Sequence, residues 1–387
     1  MRKKIFGSKW TQLLLFILTV FTTTCAGASH LNIHEAARFD LEDPNLAFDI
    51  DFLLSGLTFS FAFLGVLTVH EFGHYIVAKY HKVKTTLPYY IPFFPPLGTM
   101  GAVIQQKQKA KSKKQMFDIG VAGPLAGFVA AIILLVYGFQ NLPPADKIYD
   151  IHPDYVQGEE YQEKVYQELQ AKEEQSGGIS IAVGTSLLFE FFKEYVANAP
   201  ENVPNKFELM HYPLIFAGFL SLLFTAINLL PIGQLDGGHV LYGLIGYERF
   251  KKITPYVYGA FVFYAGLGSS YLPSVKGSFS DFAINSLVCI GFLLLLFEKM
   301  FPRKELRKAI ILSLLFFVVL LAFSVYLPNV KGYEGWIVYC VLLVRFMGIQ
   351  HPKAEIEKPL SNTRKVIGWI ALLIFILCFS PQPLVPY

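Results

Sequence analysis

The sequence predicts an all-α polytopic membrane protein with about eight or nine transmembrane helices. Its 387 residues are 53% hydrophobic and only 16% charged, whereas an average soluble protein carries about 25% charged residues. Several apolar runs are longer than about 17 residues, the length at which a helix crosses the hydrocarbon core of a bilayer. The chain is therefore expected to be an integral, multi-pass protein surrounded by lipid.

The basic residues support this layout, because they alternate between loops as the positive-inside rule requires. If residues 1–10 are cytoplasmic, the loops predicted inside hold 24 Lys and Arg, and the segments predicted outside hold 8. These loops explain the net charge of +4, so we expect no nucleic-acid partner. After a first apolar segment at 13–21, spans are expected at 52–80, 117–139, 209–230, 254–271, 282–300, 307–327, 335–348 and 365–381.

The order of the spans divides the chain into four regions. Residues 1–28 are either a signal-like segment or the first transmembrane helix. The remaining regions are an acidic external segment at 29–51, a membrane core at 52–246 with an external loop at 140–208, and a C-terminal helical membrane region at 247–387. Cleavage of residues 1–28 stays open, and lipid modification of Cys25 is an alternative that its neighbouring residues match poorly.

Residues 87–106 interrupt the membrane core with an apolar stretch that contains four prolines. Proline lacks a backbone donor and clashes with the preceding helical turn, so we do not expect a helix here. Irregular backbone at membrane depth persists only where it is buried in protein or lines a cavity. We therefore predict a re-entrant or hairpin segment near residues 87–106.

The span at 52–80 contains the motif His70-Glu71-Phe72-Gly73-His74. Residues four apart lie on one face of a helix, so His70 and His74 can bind one Zn²⁺ while Glu71 acts as general base on a water. Such a motif arises by chance about once in a hundred chains of this length. Ionisable groups within a membrane span cost about 2.5–3.5 kcal/mol each, however, and are functional by default. The motif therefore predicts a zinc site.

A catalytic zinc ion needs a third protein ligand and an open position for water. The best candidate is Asp236, a carboxylate in an apolar stretch next to Pro231 and several glycines. An alternative role for Asp236 is that of N-cap for the helix that follows it. We expect His239 to pack against the site or to orient a ligand, because Asp236 already completes the set.

The chain resembles the site-2 protease family of intramembrane zinc metalloproteases. The resemblance rests on the motif at 70–74 together with Asn228-Leu229-Leu230-Pro231 and Leu235-Asp236-Gly237-Gly238, and it covers about residues 52–246. Residues 98–104 and 122–127 also resemble family segments. The C-terminal spans are similar to a bacterial and plastid-like branch with extra helices, and no PDZ or CBS domain is recognisable. In 122–127 we expect the glycines to serve helix packing.

The resemblance implies a function and a role for each matching residue. His70, His74 and Asp236 would bind Zn²⁺, Glu71 would be the catalytic base, and Asn228 would lie near the reacting carbonyl. The substrate would be a single-span membrane protein, bound as an added strand and cleaved in regulated intramembrane proteolysis. The residues assigned to substrate binding are Gly98, Gly101, Ala102 and Pro231.

Two other functions are compatible with parts of the pattern. A polytopic metal transporter could use the same three ligands, although transport does not require a glutamate placed as a base. An inactive membrane scaffold usually lacks the glutamate or a ligand, and here all are present. We expect the protein in a bacterial inner membrane, with the site toward the cytoplasmic side. The sequence predicts no oligomeric state.

Overall fold

The computed structural model describes residues 9–31, 49–94, 96–108, 110–152, 181–273, 278–301 and 305–386. Most of these residues are helical, so the predicted all-α polytopic class is confirmed. Five helices are long and apolar enough to cross a membrane by length and composition, namely Lys9–Leu31, Ile50–Tyr80, Lys113–Gln140, Phe279–Met300 and Leu306–Tyr326. Two shorter apolar helices are Pro213–Leu229 and Gly335–Met347.

The helices and strands follow the predicted order of spans. The helices are α1 (Lys9–Leu31), α2 (Ile50–Tyr80), α3 (Lys113–Gln140), α4 (Ile148–Ile151), α5 (Leu187–Phe191), α6 (Pro213–Leu229), α7 (Asp236–Ile245), α8 (Tyr247–Leu267), α9 (Phe279–Phe297), α10 (Leu306–Tyr326), α11 (Gly335–Leu342) and α12 (Asn362–Cys378). The strands are β1 (Tyr89–Pro92), β2 (Thr99–Val103), β3 (Ile181–Val183) and β4 (Leu384–Pro386). Both strand pairs, β1–β2 and β3–β4, are antiparallel.

The chain forms two compact units. The first consists of residues 1–111, 118–228 and 373–387, and the second of residues 112–117 and 229–372. The boundaries predicted from the order of the spans stay a prediction.

In the first unit, α1 packs closely against α2. A Cβ atom added at Gly56 of α2 would lie 1.9 Å from the backbone oxygen of Thr24, and one at Gly27 would lie 2.6 Å from the oxygen of Gly56. The hydroxyls of Thr23 and Ser60 are hydrogen-bonded at 2.7 Å across the same contact. Small and hydroxylated side chains thus let the two backbones approach each other, as in many membrane helix pairs. The processing of α1 stays a prediction.

The proline-rich segment forms the predicted hairpin. Strand β1 pairs with β2 in the register Tyr89 to Val103 and Tyr90 to Ala102. The Tyr90 hydroxyl lies 2.7 Å from the hydroxyl of Thr68 on α2. This contact holds the hairpin beside α2, less than one turn before the His-Glu-His motif.

In the second unit, the loop after α11 packs against α7. The ring of His351 stacks on that of Tyr242 at 4.3 Å, and the backbone N–H of Ala354 donates to the Tyr242 hydroxyl at 2.9 Å. The Tyr242 hydroxyl in turn donates to the carboxylate of Glu357. A cavity of about 560 Å³ lies among α8, α9, α10 and α11 of this unit.

Candidate metalloprotease site

The motif of α2 brings two imidazoles together inside the first unit. The Nε2 atoms of His70 and His74 are 3.1 Å apart. Both residues and Glu71 are buried, with exposed fractions of 5% for His70, 6% for His74 and 5% for Glu71. Helix α2 begins at an N-cap, where the Asp49 carboxylate accepts from the N–H of Phe52 at 2.9 Å. Because α2 is continuous to Tyr80, the i and i+4 positions share a face as predicted.

A backbone carbonyl fixes the orientation of one imidazole. Nδ1 of His74 lies 2.7 Å from the carbonyl oxygen of Ile119 on α3. A carbonyl only accepts, so His74 donates from Nδ1, and Nε2 is the ring nitrogen that faces His70 and can serve as a ligand atom. Carbonyl support of this kind is typical of metal-binding histidines.

The two nitrogens fit a zinc ion. In a tetrahedral site with bonds of about 2.0–2.1 Å, two ligand atoms lie about 3.3–3.4 Å apart. The separation of 3.1 Å between the His70 and His74 Nε2 atoms is close to that value. The donor atoms, their spacing and the tautomer of His74 all suit Zn²⁺.

Two glycines of α3 make room for the imidazoles. A Cβ atom added at Gly123 would lie 2.1 Å from Nε2 of His74, and one at Gly127 would lie 3.0 Å from Cβ of His70. Gly73, inside the motif, meets the backbone oxygen of Ala122 in the same way, at 2.7 Å. The glycines of 122–127 do serve packing, but the groups that they pack against are the two histidine rings. The sequence did not predict that these glycines meet the two histidines, because the small residues of α3 do not show which helix α3 packs against.

Asn228 borders the same space as His70. Both residues line a small pocket in the first unit, between α2 and α6, whose other walls include Leu67, Gly127 and Phe224. Asn228 lies in the last turn of α6. The predicted polar group is therefore brought to the histidine site by the fold of this unit.

Asp236 is the first residue of α7 in the second unit and is partly buried. The N-cap position belongs to Leu235 rather than to Asp236, so the alternative N-cap role of Asp236 is wrong by one residue. Ligation of zinc by Asp236 stays a prediction.

His239, one turn later on α7, packs against a loop histidine as expected. It donates from Nδ1 to Nε2 of His351 at 2.6 Å, because Nδ1 of His351 is engaged by the carbonyl of Pro352. Burial lowers the pKa of His351, which keeps this ring neutral and able to accept.

The residues predicted to bind substrate lie in both units. Gly98 is buried in the hairpin turn with φ +72°, and its carbonyl accepts from the Thr22 hydroxyl of α1 at 2.7 Å. Gly101 has φ +106°, and Ala102 packs in a buried cluster with Leu64 and Leu67. Pro231, which comes after α6 in the sequence, belongs to the second unit. Substrate contact by these residues stays a prediction.

Comparison with known proteins supports a zinc metalloprotease ancestry. The pattern of peptidase family M50 matches residues 58–269. The chain is 31% identical over 248 residues to Probable zinc metalloprotease EGY1, chloroplastic, of Oryza sativa subsp. japonica, a match that covers 61% of this chain and 38% of that protein. It is 28% identical over 243 residues to the EGY1 protein of Arabidopsis thaliana, covering 60% of this chain and 39% of the relative.

A relative named zinc metalloprotease EGY2, from Oryza sativa subsp. indica, is 24% identical over 283 residues, covering 72% of this chain and 42% of the relative. The matches thus span about two fifths of the length of these relatives. No solved structure matches the chain. Because the family pattern covers more than half of its residues, including the motif at 70–74, the chain belongs to peptidase family M50.

Proposed function

We propose that this protein is an intramembrane zinc metalloprotease that hydrolyses peptide bonds of membrane-spanning proteins. The observation that supports the proposal most directly is the buried pair of imidazoles on α2, with Nε2 atoms 3.1 Å apart and Glu71 beside them. Burying three ionisable residues on one apolar helix costs free energy, so their presence indicates a function. Family membership supplies the reaction class.

His70 and His74 would hold the zinc ion, with Asp236 as the proposed third ligand. When bound, zinc supplies a water of lowered pKa and polarises the scissile carbonyl. Glu71 would accept one proton from the attacking water as its oxygen bonds to the carbonyl carbon, and would return that proton to the amide nitrogen as the C–N bond breaks, so the proton count balances. Asn228, which borders the pocket beside His70, would donate a hydrogen bond to the developing oxyanion.

The substrate we propose is a single-span membrane protein, bound in an extended conformation. A helix engages its carbonyls in i to i+4 hydrogen bonds, so cleavage requires local unwinding of the substrate. Strand β2 pairs with β1 on one side, and the side chains of Met100 and Val103 on β2 are exposed. An unwound segment would add to the hairpin as a further strand beside Gly98, Gly101 and Ala102. Pro231 is the fourth residue that we propose for substrate binding.

The membrane orientation we propose places the site toward the cytoplasmic side. Its support is the distribution of basic residues, with 24 Lys and Arg in loops predicted inside and 8 outside. A bacterial inner membrane is our proposed location. The named relatives are chloroplastic, so they do not confirm that location.

The test is cleavage of a single-span reporter by the full chain in proteoliposomes, compared with Glu71→Gln. This change keeps the size of the side chain and removes the base, so we expect a loss of about 10²–10⁴-fold in cleavage rate with zinc content unchanged. The matched control is Glu201→Gln at an exposed glutamate, which should cleave normally. Full activity of Glu71→Gln would falsify the mechanism.

The same vesicles distinguish the other functions. A transporter would move zinc into the lumen at the same rate with and without Glu71. A protease would cleave the reporter and move no zinc into the lumen. A scaffold would bind the reporter and leave it intact in both proteins.

A further inference from the structure

A second cluster of possible metal ligands lies in the first unit, away from the motif of α2. It consists of His152, just after α4, of Glu208, which precedes a single 3-10 turn before α6, and of His211, the last residue of that turn. The Nε2 atoms of the two histidines are 3.1 Å apart. The Glu208 carboxylate oxygen lies 3.6 Å from Nε2 of His152 and 3.3 Å from Nε2 of His211. Three donor atoms from two distant chain segments thus point at one spot.

The cluster is shielded from solvent. The side chains of Glu208 and His211 are each only 2% exposed, and that of His152 is 12% exposed. A buried carboxylate requires a compensating positive charge, because desolvation of the anion costs several kcal/mol. A divalent cation and a proton shared with the histidines are the two ways to supply it, and zinc content distinguishes them.

A backbone carbonyl orients His211. Its Nδ1 donates to the carbonyl oxygen of His30, near the end of α1. With Nδ1 used in this way, Nε2 is the ring nitrogen that faces His152 and Glu208 and can serve as a ligand atom. The same arrangement holds His74 against the carbonyl of Ile119 in the first site, and it is the usual support of a metal-binding histidine.

The triangle of donor atoms has the dimensions of a zinc site. Its sides of 3.1, 3.3 and 3.6 Å scatter around the separation of about 3.3–3.4 Å expected for tetrahedral zinc ligands. The circle through the three atoms has a radius of about 1.9 Å. An ion with bonds of about 2.0–2.1 Å would therefore lie slightly out of their plane, with the fourth position free for water.

We infer that His152, Glu208 and His211 form a second divalent metal site, with Zn²⁺ as the ion that two imidazoles and one carboxylate suit best. The site joins the polar region after α3 to the end of α1, through the carbonyl of His30, and to the start of α6. Asn228 lies at the other end of α6, about 25 Å away along a helix of 17 residues. An ion at this site would therefore be too far from Asn228 to take part in the proposed peptide hydrolysis.

The test is the zinc content of the purified full chain, equilibrated with buffered Zn²⁺ and measured by elemental analysis. We expect two ions in the wild type and one in the double variant His70→Gln/His74→Gln, in which the second cluster is intact. Adding His152→Gln to this double variant should remove the remaining ion. The double variant decides the question even if changes at the second cluster impair folding, because a zinc content of zero in that protein would overturn the proposal.

The matched control is His81→Gln. His81 is paired with Asp118 at 2.8 Å and has a similar side-chain exposure, 10%, but belongs to neither cluster, so two ions should remain. His152→Gln alone should lose one ion and retain reporter cleavage, which separates this site from the proposed catalytic one. Equal zinc contents in His152→Gln and the wild type would assign the cluster to a shared proton instead.

A second measurement uses Co²⁺ as the probe. In the His70→Gln/His74→Gln protein, Co²⁺ should give the visible absorption of a tetrahedral site and raise the thermal unfolding midpoint. The triple variant with His152→Gln should show neither effect. Identical spectra and midpoints in the two proteins would contradict the assignment.

Discussion

The two histidine clusters of the first unit differ in how their ligands are held. His70 and His74 come from adjacent turns of α2, so the helix itself sets their separation of 3.1 Å. His152 and His211 have the same separation, 3.1 Å, but their positions depend on tertiary contacts between distant segments. Equal spacing can therefore arise from a helix or from packing, and only the first origin is robust to changes elsewhere in the fold.

The two glutamates also differ. The Glu208 carboxylate lies within 3.6 Å of both histidine nitrogens of its cluster, and the proposed second site uses it as a ligand. Glu71 is next to His70 in sequence, and the proposed mechanism keeps it outside the ligand set. A carboxylate outside the ligand set remains available as a base, which is the role that the proposed mechanism gives to Glu71.

Among the predicted variants, Gly123→Ala should have the largest effect on the first cluster. The added Cβ would lie 2.1 Å from Nε2 of His74, so the imidazole must leave its position. We predict loss of the zinc ion at the first cluster and a fall in cleavage of about 10³-fold or more, because the metal and the base then act on no common water. Reporter cleavage and elemental analysis measure the two effects.

The matched control for this change is Gly65→Ala, a glycine of membrane helix α2 itself, where an added Cβ meets nothing within 4 Å. It should keep both ions and full activity. If Gly123→Ala cleaved as well as Gly65→Ala, the glycine would not be the neighbour that positions His74.

An intermediate effect is expected for Asn228→Ala. This residue borders the pocket of the first cluster but binds no metal, so we predict two retained ions and a fall in kcat of about 10²–10³-fold, the cost of one oxyanion donor. Asn141→Ala, at an exposed position after α3, is the matched control and should change neither quantity. An unchanged kcat for Asn228→Ala would remove Asn228 from the mechanism.

The smallest effect is expected for His81→Gln, which changes a histidine–carboxylate pair outside both clusters. His81 and Asp118 form a pair 2.8 Å apart with side chains 10% and 14% exposed. We predict unchanged zinc content and a loss of about 1–2 kcal/mol in the free energy of unfolding, measured by denaturant titration in detergent.

A surface pair provides the control for this loss. Lys308 and Glu305 are 2.8 Å apart, with side chains 62% and 41% exposed, and solvent screens such a contact. Lys308→Gln should therefore leave the unfolding free energy almost unchanged. Equal losses in the two variants would mean that the burial of His81 adds nothing to its pair.

Local sequence patterns predicted the elements that a short stretch of chain determines. Continuous hydropathy predicted α2 and α3, the four prolines predicted the hairpin of β1 and β2, and the spacing of His70 and His74 predicted their shared face. Each of these follows from backbone geometry within a few residues, namely the helical period and the missing donor of proline.

Contacts between distant segments were decided by the tertiary structure alone. The sequence contains the Glu208-x-x-His211 spacing as a faint signal, but nothing in it links these residues to His152 or to the carbonyl of His30. The fit of Gly123 against His74 likewise depends on how α3 packs on α2. The sequence by itself thus determined the helices and the motif, whereas packing decided which groups surround each histidine, because a side chain's distant neighbours depend on the path of the whole chain.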